Sequence, residues 1–396
     1  MPQTNSRKKN LVVGAGFSGA IIAQKLAEIL DDDVLIIDKN PYLGGISSDY
    51  TDKNGITVHK FGSHIFHTNY DYIWKYLNRF SKFETFFHTQ YMTIEGMTIP
   101  SRFNLNTISE LFPPTLAKRI EKKLINKYGY GTSIPILDFK TKPFIWDNDL
   151  DFLANYIYQK CFIPYNEKQW NTRVSNNSSK AAEKINIHIN KDNRQFQDKY
   201  QGVPKEGYTK LVENILNHKN IKIILSTDFK NIDINGFDRV FYTGPIDEFF
   251  NYKYGALEYR SAKFEFEEIN QKYYQKSGVT TYPSNYDFIK IHEYKHYTNI
   301  KSPTTIIAKE YITDFALNKN ERFYPVLNEK SLKMHKCYKN EAKKLDNVYF
   351  LGRLGDFKNY DMDKAIKRSI EVFDAIRFKN SIIRDSISSD AYSIIS

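Results

Sequence analysis

The sequence is poor in the residues that staple a chain, hold metals or cross membranes. Only two of its 396 residues are cysteine, Cys161 and Cys337, far apart and outside any CxxC. That spacing excludes a disulfide framework or a cysteine zinc site and fits a reducing compartment. There is no run of about 18 apolar residues, so no membrane-spanning helix is expected. The N-terminal MPQTNSRKKN is polar and lacks the apolar stretch of a secretory signal, which predicts a cytoplasmic protein. Internal repeats, low-complexity linkers and zinc-finger, RNA-recognition or basic-zipper patterns are all missing, so no nucleic-acid partner is expected. Basic residues exceed acidic ones by 57 to 46, yet they are scattered (8–9, 118–123, 342–344) and form no long block. Scatter of this kind reads as solvated surface, with room for small anionic ligands.

Aromatics are abundant, with 29 Tyr and 28 Phe. Tyrosine offers a flat face and a polar tip, which suits a cleft for sugars and phosphates, although a compositional bias of the genome accounts for the count equally well. The length supports two or three lobes. Residues 11–13 read as a buried strand, followed by GAGFSG and a helical pattern through Ala20, Ile21, Ala23 and Leu26. A second strand, 34–37, ends at Asp38. Gly14, Gly16 and Gly19 thus fit GxGxxG between a strand and a helix. The first glycine allows the tight turn, the second lets a pyrophosphate approach the backbone, and the third lets helix and strand pack. Asp38 stands where an acid accepts hydrogen bonds from ribose hydroxyls. NAD and FAD share this signature; the Gly44–Gly45 pair that follows resembles the pair many flavoproteins carry, and favours FAD. The expected fold is α/β: a Rossmann-like, doubly wound FAD-binding domain (1–80, 207–259 and 345–396), an inserted mainly helical domain (81–200) and an antiparallel β-sheet domain (260–344).

Further segments, in matching order, are KFGSHIFHTN (60–69), NEKQW (166–170), YQGVPKEGYTKL (200–211), FYTGPIDEFF (241–250), YGALEYRSAKFE (254–265), FYPV (323–326) and LGRLGDFKNYDM (351–362). Together they resemble the UDP-galactopyranose mutase family over nearly the whole chain. The resemblance implies a mutase that interconverts pyranose and furanose forms of a nucleotide-diphosphate sugar. In that family FAD is active when reduced and acts without net redox turnover, through a flavin N5–sugar iminium, as covalent catalysis by the cofactor. It also implies a cellular reductant (NAD(P)H or a reductase) and allows a homodimer. By position, His64 and His67 match the histidine segment beside the flavin, and with Arg353 they form the expected catalytic set. Tyr165 and Trp170 match aromatics at the nucleobase and the mobile loop. Tyr200 and Tyr324 match tyrosines that reach the diphosphate. Glu310, Arg353, Asp361 and Met362 match residues lining sugar and flavin.

Several positions depart from the family pattern. His188 stands where the family has a phosphate-clamping arginine, with Arg194 nearby as a substitute. Lys290 replaces a second phosphate arginine, keeping charge but losing the bidentate fork. Asn359 replaces a tyrosine, Thr89 an asparagine near the base, and Cys161 a larger aromatic. The flavin half is kept and the substrate half has drifted. The substrate therefore stays open between UDP-galactose or its N-acetyl form and another sugar nucleotide such as a dTDP-deoxysugar or a GDP-heptose, and an inactive relative is a third reading. A flavin amine oxidase or a non-catalytic binding module would explain the glycine turn but not the later segments.

Overall fold

A computed structural model describes residues 7–141, 147–171, 185–298 and 300–392, those at 141 and 379–392 as backbone only. Five parallel strands lie side by side in the order Ile221–Ile224, Asp33–Ile37, Lys9–Val13, Arg239–Tyr242 and Val348–Phe350. The central strand, KNLVV, buries every residue after its first, a continuous run that only a sheet covered on both faces tolerates. One face carries the helices Phe17–Leu30, Tyr208–Leu216 and Met362–Tyr392, with Ile21, Leu211 and Phe373 in the interface. The other face is closed by Phe229, Phe249 and Leu345. Asp38 and Thr243 directly follow two of these strands, so both sit at the carboxyl edge, where open parallel sheets bind ligands.

The second sheet has seven strands, in the order Tyr324–Pro325, Tyr259–Ile269, Thr305–Asp314, Lys290–Glu293, Val279–Thr281, Gln90–Ile94 and Met97–Pro100. Its last two strands come from the stretch grouped with the helical insert on sequence grounds. The reason is local: Met92, Ile94 and Ile99 are buried at alternate positions, and Glu95 (φ 51°) and Gly96 (φ 83°) make a tight two-residue turn. Strand Phe83–Thr85 likewise leaves the insert, pairing with Tyr200–Pro204, which also pairs with Phe66–Thr68.

The helical part runs from Leu105 to Trp170. Helix Leu105–Leu111 starts on a capping box between Asn104 and Thr107, and Pro114–Tyr128 opens on a proline that cannot disturb its first turn. Helix Asn148–Ile157, capped by Asp147, passes through a π-turn at Tyr158–Phe162 into Ile163–Trp170. These helices enclose Ile120, Leu124, Phe139, Leu153 and Cys161. Among the described residues no helix is long and apolar enough to cross a membrane.

One buried carboxylate joins the histidine segment to the parallel domain. Asp49 accepts the N–H groups of Tyr208 (2.5 Å) and Thr209 (3.0 Å) at the start of helix Tyr208–Leu216. Gly207 (φ +87°) must be glycine there, because a Cβ would lie 2.7 Å from Asp49 Oδ2. Tyr208 is fully buried and donates its hydroxyl proton to the His64 carbonyl at 3.0 Å. Replacing Asp49 by Ala strips two buried donors at a helix start, and is expected to lower unfolding free energy by about 2–3 kcal/mol in urea titrations.

Candidate functional site

The glycine turn separates two demands. A Cβ on Gly19 would lie 1.9 Å from the Gly14 carbonyl oxygen, and Gly14 itself (φ +101°) would strike Thr243 at 2.0 Å, so the fold requires both glycines. A Cβ on Gly16 would meet nothing closer than 3.8 Å; no protein atom requires glycine there, and its side faces the cleft. Helix Phe17–Leu30 begins at Gly16 without a side-chain cap, leaving its first N–H groups to a ligand. Asp38 accepts the N–H groups of Ala15 and Asn40, each at 2.8 Å, and also lines the cleft. Gly44 (φ +92°) donates its N–H to the Ala15 carbonyl at 2.9 Å, so the second glycine pair locks onto the first. The cleft continues past Phe61 and Phe323 to Arg353, Asp361 and Met362. Free helix amides, a ribose acid and an aromatic far end in one cleft fit a flavin dinucleotide. Gly14, Gly16, Asp38, Gly44 and Gly45 line it, and Gly19 packs beneath.

Arg353 is half-buried. It donates to the carbonyls of Phe323 (3.3 Å) and Tyr360 (2.8 Å), and its guanidinium lies 5.8 Å from the Tyr324 ring centroid. It makes no ion pair among the described residues; burial is the main force lowering its pKa, opposed by Tyr324 and Asp361. His64 is likewise half-buried, with Nε2 out of reach of solvent: burial, with His59 and Arg353 nearby, holds its pKa down to about 3, so it stays neutral. His67 has different neighbours, with Nδ1 2.8 Å from Asp198 and the ring stacked 3.7 Å from Phe196. Asp361 pairs with Lys364 at the rim.

Next to Arg353 lies Tyr324, whose ring meets Trp170 edge-on at 6.5 Å. Glu310 lies opposite Lys290 in the ladder and 2.9 Å from His292 Nε2. Burial alone would raise the Glu310 pKa, but Lys290 and the hydrogen bonds from His292 and Tyr324 outweigh it and hold it at about 2. The helix bearing Tyr165 and Trp170 is fastened to this sheet at two points. Lys168 donates to the carbonyls of Tyr282 (2.7 Å), Tyr286 (2.8 Å) and Phe288 (3.1 Å), and Arg260 donates to the Gln169 carbonyl at 3.0 Å. Burial brings the Lys168 pKa to about 8.

Four expected residues behave differently. Arg194 is held by Asp192 through Nε and Nη2, so the substitute cation already has a partner. Tyr200 stacks on Trp74 at 5.0 Å, beside the surface pair Lys199–Asp71, and does not join the Tyr324 cluster. Asn359 gives its amide to the Pro325 carbonyl at 3.4 Å. Cys161 belongs to the helical core, where burial pushes its thiol pKa up. His188 lies 3.2 Å from Arg102, a residue no motif marks; Arg102 also donates to the carbonyls of Arg194 (2.6 Å) and Gln195 (3.0 Å). Residues 172–184, which adjoin the expected mobile-loop position, lie outside the described residues.

A family model described as GLF, UDP-galactopyranose mutase, matches residues 160–359, and a model of an NAD(P)-binding Rossmann-like domain matches 12–80. A probable UDP-galactopyranose mutase of Klebsiella pneumoniae is 32% identical over 373 residues, 93% of this chain and 94% of the relative. A dTDP-fucopyranose mutase of Escherichia coli is 30% identical over 371 residues, 92% and 97% of the two chains. The crystal structure of reduced UDP-galactopyranose mutase shares the fold, with a TM-score of 0.70, 16% identity and 93% of each chain covered.

Two outcomes are expected. Gly16→Ala should fold but lose bound flavin at least tenfold by absorbance at matched protein concentration, whereas Gly19→Ala should fail to fold by circular dichroism. Stability should also fall on mild acidification. His59, His64 and His88 are buried in the neutral form with pKa values of about 3, so below the unfolded value of about 6.5 the unfolded chain binds more protons. Stability is full above that value and declines as pH drops towards 3. Between pH 7.5 and 5.5, above the range of ordinary carboxylates, each such histidine costs about 1.4 kcal/mol; His188 and His335, held down to about 4 by burial, bring the sum to about 7 kcal/mol, read from urea unfolding at the two pH values.

Proposed function

The chain belongs to the UDP-galactopyranose mutase family, and we propose that it is a flavin-dependent enzyme that interconverts the pyranose and furanose forms of a nucleotide-diphosphate sugar. The observation that carries this reading is the junction at Arg353. This one side chain lines the dinucleotide cleft and also lies over Tyr324, whose ring meets Trp170 and whose hydroxyl reaches Glu310. The far end of a flavin cleft thus adjoins a group of aromatic and charged side chains suited to a sugar nucleotide.

FAD would be held by the amides at the start of helix Phe17–Leu30 and by Asp38. When bound and reduced, it supplies a nucleophile for the anomeric carbon, which is why a cellular reductant, NAD(P)H or a reductase, is needed although nothing is consumed. The protein's own part is positioning and electrostatics. Arg353 offers a cation without a carboxylate partner, in a low-dielectric setting where negative charge on the substrate is strongly attracted. His64, neutral throughout the physiological range, provides hydrogen bonding without adding charge. Lys290 and Arg102 supply positive charge for a diphosphate that must leave and return. Trp170 presents a flat ring for stacking and for keeping water out.

Comparable identity to a UDP-galactopyranose mutase and to a dTDP-fucopyranose mutase keeps two nucleotide series in view. The dithionite-reduced protein should be incubated with UDP-galactopyranose, UDP-N-acetylgalactosamine, dTDP-fucopyranose and a GDP-heptose, with furanose partners where they can be made. Chromatography should show isomerisation of at least one pair only when the protein is reduced, and Arg353→Ala should lower kcat at least 100-fold with flavin retained. Steady oxygen consumption with substrate would instead identify an oxidase and overturn the proposal.

A further inference from the structure

A cavity of about 560 Å³ lies apart from the dinucleotide cleft, on the outer side of strand Val348–Phe350 and between helices Glu329–Ala342 and Met362–Tyr392. Tyr360 is the one residue that lines both spaces. The volume falls within the range of about 300–1,000 Å³ usual for small-molecule pockets. Its floor is apolar: Ile246, Val348 and Val372 are buried there, flanked by Tyr349 and Phe350.

The rim is cationic. Lys339, Lys343, Lys358 and Arg368 line it, against two carboxylates, Asp356 and Glu371. Asp356 already accepts from Arg368 Nε (3.2 Å) and from the Tyr360 hydroxyl (3.1 Å), and Glu371 lies 3.8 Å from Lys367. Glu341, on the same helix as Lys339, is paired with Lys253 and Lys344. The three lysines of the rim thus make no ion pair among the described residues. Their field reaches inward: burial, then Lys339 and Lys358, hold the pKa of His335 in the cavity wall down to about 4. Guarding a sheet edge against another strand does not account for these lysines. Guard residues sit on the edge strand itself, whereas these come from a helix, its C-terminal end and a loop, and converge on one cavity.

The strand contributes donors of its own. The Asn347 carbonyl accepts the Val240 N–H at 2.9 Å, and the Leu351 N–H donates to the Tyr242 carbonyl at 3.2 Å, so the odd-numbered residues here face the sheet. Backbone groups alternate in direction along a strand. Those of Val348 and Phe350 therefore face the free edge, where no carbonyl accepts from either N–H among the described residues. Unpaired amides and converging lysines above an apolar floor suit an anion joined to a flat, apolar body.

We propose that this cavity binds a small phosphorylated molecule with a flat apolar body, of the size of a nucleoside monophosphate, at a site distinct from the dinucleotide cleft. The phosphate takes the lysines and the edge amides, and the body lies on Ile246, Val348 and Val372. The inference does not depend on the mutase reading.

Isothermal titration of the flavin-loaded protein, whose dinucleotide cleft is already filled, would use adenosine monophosphate, adenosine and inorganic phosphate. Adenosine monophosphate should bind with a Kd below about 1 mM, and adenosine and phosphate each at least tenfold more weakly. The double variant Lys339→Glu, Lys358→Glu, at two exposed positions, should weaken adenosine monophosphate at least tenfold while bound flavin, read by absorbance, is unchanged. The same reversal at Lys118 and Lys122, exposed on helix Pro114–Tyr128, should leave the affinity within twofold. Lys343→Glu, a single exposed change that serves if the first double variant does not fold, should weaken binding at least threefold. The inference is overturned if adenosine monophosphate does not bind, or if inorganic phosphate binds as tightly. It is equally overturned if the rim variants bind adenosine monophosphate as the wild type does, or if the two double variants weaken it to the same extent.

Discussion

A guanidinium drawn partly out of water without a carboxylate partner is expensive to keep, and one sits where the dinucleotide cleft meets the seven-stranded sheet. Arg353 replaces its lost hydration with two backbone carbonyls and an aromatic face. The carbonyls come from different parts of the chain: Phe323 leads into the seven-stranded sheet, and Tyr360 precedes the last helix of the parallel domain. Satisfying one cation therefore fixes the relation of the two sheets at the point where the dinucleotide cleft meets the Tyr324 cluster. An anion bound nearby would complete the compensation that the protein leaves partial.

The surroundings extend the same logic. His59, His64 and His88 are kept neutral by burial, so they add polar contacts near Arg353 and Lys290 without adding repulsion. Glu310 is the exception, a carboxylate held ionised inside the sheet by Lys290, His292 and Tyr324. The helix of Trp170 has no apolar anchor of comparable precision; three carbonyls around Lys168 and one beneath Arg260 hold it, directional contacts that fix where its last residue lies.

Legibility from the sequence differed by region. The first strand–turn–helix–strand unit was readable because its requirements are local: an apolar run, glycines that permit a tight turn, and an acid at the next strand end. The cofactor residues named from it all fall in or under one cleft. The hairpin Gln90–Ile94 and Met97–Pro100 was not readable, since its period of two spans few residues and its turn is Glu-Gly rather than a stronger hairpin signal.

Residue identities alone, through the glycine spacing and the ordered segments from KFGSHIFHTN to LGRLGDFKNYDM, determined the dinucleotide domain and the family. Which charges are available to a ligand was decided only by tertiary structure. Arg194 lies near the expected place in the chain but is taken by Asp192, whereas Arg102 arrives beside His188 from the end of a distant hairpin. Ser63 and His292 are 229 positions apart, yet they meet at 2.8 Å because one precedes a short strand and the other lies in a strand of the larger sheet. Sequence records which groups exist and their local backbone needs, while pairing and burial depend on contacts between segments far apart in the chain. Those contacts set the charge state and hydrogen-bonding capacity on which recognition rests.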